Sequence, residues 1–246
     1  MDDEFAVICA GWCNCLAQQP DAQRLANALA APYSETMKQG FPFAVAGQRI
    51  GLLGGSFDPA HDGHVRLTDE ALKRFGIDRV WWLVTPGNPL KKHQPAPLEQ
   101  RISQARELMD DPRVEVTGVE ALLNTRKTVD TIAALQKHYP TVNFVWLMGS
   151  DNLVQFSQWE RWREIAARVP IGVLSRPGSR LAARLSKAAR VMSSARLPAR
   201  RAGLLGASAA PAWVMVNMPM STTSSSAIRA AQQRGAKMKD SPPENP

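Results

Sequence analysis

Apolar and polar positions along this 246-residue chain take on a regular alternation from about residue 49. Short apolar runs there are followed by stretches in which apolar residues recur at helical spacing. Ile50-Gly51-Leu52-Leu53 reads as a strand ending in Gly54-Gly55, and Val65 to Phe75 reads as a helix stopped by Gly76. A strand at Val80 to Thr85, a proline-rich loop from Pro86 to Pro97 and a helix from Leu98 to Met109 follow. The order repeats with strand Val114 to Thr117, helix Thr128 to His138 and strand Val142 to Met148, then a helix near Trp159 to Ala167 and strand Ile171 to Ser175. Strands separated by helices of about 10 to 15 residues predict an α/β fold built on a doubly wound parallel sheet. In such sheets ligands bind beyond the carboxyl ends of the strands, so the residues just after each strand are the ones to read for chemistry.

The flanks break this rhythm. Residues 1–46 carry five acids against Arg24 and Lys38, and an alanine-rich stretch from Gln23 to Ala31 stops at Pro32. We read them as a poorly ordered N-terminal extension, the first 36 residues above all, and place a single domain at 47–236. After Arg176-Pro177-Gly178 the stretch 179–211 reads as an insert with helix-like spacing. A last strand, Trp213 to Val216, leads to a serine and threonine run and a helix from Ala227 to Arg234. The proline-rich tail 237–246 is expected to be disordered.

Composition changes the picture in one respect. Thirty Lys and Arg against 22 Asp and Glu give a formal charge of +8, which invites a nucleic-acid or membrane-surface reading. Eight of the basic residues lie between Arg176 and Arg201, where there is no acid, so the rest of the chain is neutral. The excess is a local basic face, and nucleic acid is not the expected partner. No apolar run approaches the roughly 18 residues of a membrane span, and an acidic start argues against a secretory signal; a cytoplasmic protein is expected. Three cysteines, all within the first 15 residues, supply neither a disulfide framework nor four zinc ligands.

Gly54-Gly55-Ser56-Phe57-Asp58-Pro59-Ala60-His61-Asp62-Gly63-His64 closes the first strand and opens a helix. Helix N–H groups and the helix dipole there favour an anion, and glycines let the backbone approach it. His61 and His64, three residues apart, share one face of the first turn and can stabilise charge growing on a phosphoryl group. Ser224-Ser225-Ser226-Ala227-Ile228-Arg229 again sits between strand and helix. Its hydroxyls suit either helix capping or, with the arginine one turn in, a polyphosphate tail.

Together these strings resemble the GSFDPxHxGH and ISSTxIR signatures of the HxGH nucleotidyltransferases. The intervening motifs resemble the bacterial nicotinate-nucleotide adenylyltransferase family: Thr85-Pro86-Gly87-Asn88-Pro89-Leu90-Lys91, Gly149-Ser150-Asp151-Asn152, Gln158-Trp159-Glu160-Arg161-Trp162 and Ser175-Arg176-Pro177-Gly178. The resemblance spans about residues 49 to 178 and 213 to 234, in family order, and implies a Rossmann-like nucleotidyltransferase fold. It implies that His61 and His64 are catalytic on the ATP phosphates, with Gly55, Ser56 and Phe57 lining the nucleotide through their backbone. Asp151 would hold the ribose, and Ser225, Ser226 and Arg229 the β and γ phosphates. Thr85, Lys91, Thr128, Trp159, Glu160 and Arg176 would contact the mononucleotide, with Trp159 stacked on the nicotinate ring and backbone N–H groups near Thr128 and Glu160 taking its carboxylate. From the residues alone, Trp159 or Trp162 could be core instead, and Asp151 could be a helix cap.

The chain departs from the family pattern where Lys127 precedes Thr128 in place of tyrosine, where Ser226 replaces threonine, and in its short polar C-terminus. The implied reaction is transfer of AMP from ATP to nicotinate mononucleotide, giving deamido-NAD and pyrophosphate, with Mg2+ on the phosphates and no protein metal site. Rival readings are the amide mononucleotide or phosphopantetheine as acceptor, a nucleic-acid-binding module, and an inactive nucleotide sensor. The sequence leaves a homo-oligomer open.

Overall fold

The structure, a computed structural model, describes residues 40–86, 94–175 and 178–218. Every element described below lies in the compact unit that begins at Ala44. In chain order it runs β1 (Arg49–Gly55), α1 (Asp62–Arg74), β2 (Arg79–Val84), α2 (Leu98–Leu108), β3 (Val114–Thr117), α3 (Val119–Leu122) and α4 (Thr128–His138). It continues with β4 (Asn143–Gly149), α5 (Ser150–Gln155), α6 (Trp162–Arg168), β5 (Ile171–Ser175), α7 (Arg180–Leu185), α8 (Lys187–Val191) and β6 (Trp213–Asn217).

The six strands form one sheet in the order β3-β2-β1-β4-β5-β6, and every neighbouring pair is parallel. That is the doubly wound arrangement the sequence predicts. Side chains alternate between faces along each strand, and both faces are covered. On one face Leu53, Trp82, Leu147 and Val214 pack with Leu67 and Ala71 of α1 and Ile102 and Ala105 of α2. On the other, Trp81 packs its ring against Tyr139 and Phe144, with centroids 5.2 and 5.7 Å away. Arg49 at the start of β1 grips Asp78, just before β2, through its backbone N–H and a bidentate guanidinium, at 2.6 to 3.0 Å.

Several boundaries differ from the predicted ones, each for a local reason. The first helix begins at Asp62 and not Val65, because His61 caps it. The helix expected near Trp159 begins at Trp162: Arg161 takes a left-handed conformation (φ 52°) through which a helix cannot extend backwards, and Phe156–Gln158 forms a 3-10 turn. Helix α5 has six residues and is too short to show a period.

The stretch read as a basic insert makes the crossover from β5 to β6, which two parallel neighbours require. Its single expected helical run is divided at Ser186, whose hydroxyl caps α8 by accepting from Ala189 N–H at 3.2 Å. A 3-10 segment, Ala199–Ala207, then docks on the end of α1, where Gly206 N–H donates to the Phe75 carbonyl at 2.8 Å. Ala183, Ala188, Ala189, Met192, Ala202 and Leu205 are buried, whereas all seven of its basic residues from Arg180 to Arg201 are exposed. Among the described residues no helix is long and apolar enough to cross a membrane.

Candidate active site

Strands β1 and β4 lie side by side, yet their chains continue to opposite sides of the sheet, β1 being followed by α1 and paired to β2, β4 being paired to β5. This switch in strand order opens a crevice beyond the carboxyl ends of β1 and β4. The register pairs Leu53 with Leu147, so Gly55 and Gly149 end the two strands at one level, two residues on. Small residues are needed there. A Cβ at position 54 would stand 2.7 Å from Trp146 Cη2, and one at 149 would collide with Asp151 Oδ1.

Beyond β1 the chain makes a strained turn. Phe57 has φ 46°, a conformation that bulky residues avoid, and its side chain is buried. The ring stacks on Trp82 at 4.9 Å and supports His64 at 4.7 Å. The left-handed turn therefore sends the Phe57 ring into the core while leaving Ser56 exposed above it.

His61 and His64 cap α1 reciprocally. Gly63 N–H donates to Nδ1 of His61 at 3.0 Å, and His61 N–H donates to Nδ1 of His64 at 3.3 Å. The rings lie 4.0 Å apart. A ring nitrogen that accepts from a backbone N–H carries no proton, so in both neutral rings the proton sits on Nε2. The pair thus presents two imidazole N–H donors at a helix N-terminus. His61 is buried and His64 half-buried, which limits competition from water.

Beyond β4, Asp151 is exposed as the second residue of α5; the N-cap position is Gly149, which makes no side-chain cap bond, so Asp151 is not the cap. Trp159 is half-buried, edge-on to Trp146 and Phe156 at 6.1 and 5.4 Å, while Trp162 is the buried core tryptophan. Thr128 opens α4. Lys127, just before it, pairs with Glu160 at 2.6 Å, and Arg161 pairs with Asp130 at 2.9 Å. Thr85, half-buried at the end of β2, donates its N–H to the Gly55 carbonyl at 3.0 Å. Lys91, Arg176, Ser225, Ser226 and Arg229 lie outside the described residues.

Two buried charged residues were missed by the sequence reading. Arg101 of α2 is 1% exposed. Its Nη1 donates to the carbonyls of Ser56 and Thr85, at 2.6 and 2.9 Å, and its Nε to that of Ala96 at 2.7 Å. Glu120 of α3 is 4% exposed and accepts from the Thr131 hydroxyl at 3.1 Å; burial pushes its carboxyl up to about 7. Among the described residues no group of three His, Cys, Asp or Glu could hold a metal ion.

Known proteins share this architecture and much of this sequence. A cytidylyltransferase-like family model matches residues 52–231. A Ruegeria pomeroyi protein named "Probable nicotinate-nucleotide adenylyltransferase" is 60% identical over 195 residues, covering 79% of this chain and 92% of its own. A Cereibacter sphaeroides protein of the same name is 64% identical over 181 residues, covering 74% of this chain and 96% of its own. A Methylorubrum extorquens protein of that name is 48% identical over 182 residues, with 74% and 98% covered. In fold, the chain is similar to a solved Plasmodium falciparum nicotinic acid mononucleotide adenylyltransferase complexed with NaAD. The TM-score is 0.56 at 16% identity, over 74% of this chain and 83% of that one. The chain belongs to the nicotinate-nucleotide adenylyltransferase family of nucleotidyltransferases.

Proposed function

We propose that this protein transfers the adenylyl group of ATP to nicotinate mononucleotide in the cytoplasm, forming deamido-NAD and pyrophosphate for NAD synthesis. The observation that carries the reading is the pair of reciprocally capped histidines, both ring Nδ1 atoms taken up by the cap, at the N-terminus of the helix that follows β1. The 5′-phosphate of the mononucleotide is already an anionic nucleophile. One of its oxygens attacks the α-phosphorus of ATP, the bond from that phosphorus to the bridging oxygen of pyrophosphate breaks, and the electron pair leaves with pyrophosphate. No general base and no covalent intermediate are needed. Catalysis is positioning together with stabilisation of negative charge.

In this reading His61 and His64 donate to the α-phosphate oxygens, and the backbone of Gly55, Ser56 and Phe57 lies along the nucleotide. Asp151 accepts from the ribose hydroxyls. Trp159 stacks on the pyridine ring, while N–H groups at Thr128 and Glu160, with Thr85 nearby, receive the nicotinate carboxylate. The family motifs assign Ser225, Ser226 and Arg229 to the β and γ phosphates, and Lys91 and Arg176 to the substrate. A donor set of histidines and backbone N–H groups suits phosphate oxygens better than a hard cation, so Mg2+ would be carried on the triphosphate. Bound there, it would supply neutralisation of charge on the transferred and leaving phosphates.

Pyrophosphate release with ATP and either the acid or the amide mononucleotide tests the reading. It predicts a higher kcat/KM for the acid form and deamido-NAD as product. Preference for the amide, or no ATP-dependent pyrophosphate release with either, would overturn it.

A further inference from the structure

A guanidinium buried among apolar helix positions demands a full set of acceptors, since burying a charge without them is costly. Arg101 lies on the inward stripe of α2 with Ile102 and Ala105, all three buried. Among the described residues no carboxylate is within ion-pair distance of it. Its Nε and Nη1 bonds among the described residues go to the main-chain carbonyls of Ser56, Thr85 and Ala96. Burial pushes its pKa down and the charge of Asp58 opposes that, but an arginine stays protonated.

The three carbonyls come from separate places. Ser56 belongs to the turn after β1 on which the adenylyl donor is proposed to lie. Thr85 is the first residue after β2, and Ala96 lies two residues before α2. The last bond of the β1–β2 junction runs from Thr85 N–H to the Gly55 carbonyl. One step beyond it the carbonyls of Ser56 and Thr85 converge on a single nitrogen, Nη1 of Arg101. A second link runs parallel, Ala96 N–H donating to Asp58 Oδ1 at 3.4 Å. A planar fork holds its donors at fixed angles and so fixes the carbonyls of three segments relative to one another; a lysine ammonium has no such fixed fork.

We infer that Arg101 is a positioning residue that locks the nucleotide turn to both described ends of the β2–α2 connection, so that ATP and the mononucleotide bind cooperatively. The inference rests on the proposed function. A ligand that orders Ser56 on one side of Nη1 lowers the ordering cost of Thr85 on the other, and the coupling is reciprocal.

The test is calorimetric, with the full chain, α,β-methylene-ATP as an unreactive donor, and nicotinate mononucleotide. In the wild type each ligand should tighten the other by about fivefold or more, a common size for such coupling. In Arg101→Lys and Arg101→Met the factor should fall to within about twofold of one, with folding checked by thermal melting and either ligand still bound alone. A second measurement uses the wild type only: α,β-methylene-ATP should slow amide exchange in the first turn of α2, where Arg101 N–H donates to the Pro97 carbonyl. Full coupling retained in both folded variants, wild-type ligands that bind independently, or unchanged α2 exchange would overturn the inference while leaving the proposed function standing. Failure of either ligand to bind the wild type would overturn both.

Discussion

Lys127 Nζ lies 2.6 Å from Glu160 Oε1, joining the start of α4 to the turn that carries Trp159. Arg161 makes a second tie across the same gap, to Asp130 at 2.9 Å, and a further pair with Glu164 in the first turn of α6. The first two tie the turn that carries Trp159 and Arg161 to α4. The sequence marks Lys127 only as a departure from the family's tyrosine. In the structure it neutralises Glu160, beside the N–H groups proposed to receive that carboxylate.

Both tied pairs are exposed, so salt screens them. The KM for nicotinate mononucleotide should rise about two- to fivefold from low to high ionic strength. In Lys127→Gln it should start high and respond less to salt, with kcat nearly unchanged. Steady-state kinetics across ionic strengths check this, and identical salt responses in variant and wild type would contradict it.

Glu120 gives stability a pH dependence of unusual sign. Burial raises its carboxyl from 4.5 to about 7, partly opposed by the Thr131 hydroxyl. Between those values the folded chain holds the extra proton, so this contribution is complete below the lower value, fades as pH rises through the higher one, and is absent above it. The slope amounts to about 3 kcal/mol at most. Glu120→Gln should be more stable than the wild type near pH 8 and about equal to it near pH 5, as read from urea midpoints. Equal destabilisation at both pH values would contradict the assignment.

Two glycines should resist alanine for different reasons. Gly76 has φ 61° and a new Cβ would collide with the Gly203 carbonyl, which belongs to the crossover packed against it. Gly54 has no room because Trp146 Cη2 would lie 2.7 Å from the Cβ. Gly54→Ala should cost about 1–3 kcal/mol by overpacking, and Gly76→Ala more, since backbone strain adds to the clash. Denaturant unfolding measures both, and a near-neutral Gly76→Ala would contradict the close backbone approach.

The parallel sheet, its strand positions and most helix positions were legible because both faces of the sheet are buried, so β1, β2 and β4 read as unbroken apolar runs between helices with an inward stripe; the strand order was not. The GGSFDPAHDGH string located the strand-to-helix junction now proposed to hold phosphate, because its glycines and histidines suit such a turn. Long-range partners were not legible. Nothing local in Lys127 names Glu160, 33 residues on. Arg101 did leave a signal, a charged residue on the apolar stripe of α2, but its acceptors are backbone carbonyls that only the folded chain assembles. The crossover was read by its charge, whereas its buried alanines decide where it packs.

The central claim is that the Nε2–H groups of His61 and His64 stabilise the adenylyl transition state. His61→Asn and His64→Gln keep an acceptor for each cap while removing the ring donors. The decisive measurement is kcat for pyrophosphate release with saturating ATP and nicotinate mononucleotide, alongside thermal melting. Each variant should lose about 10²–10³ in kcat with its melting temperature nearly unchanged. A folded variant whose kcat stays within about threefold of wild type, well short of the loss expected for a transition-state donor, would contradict the account.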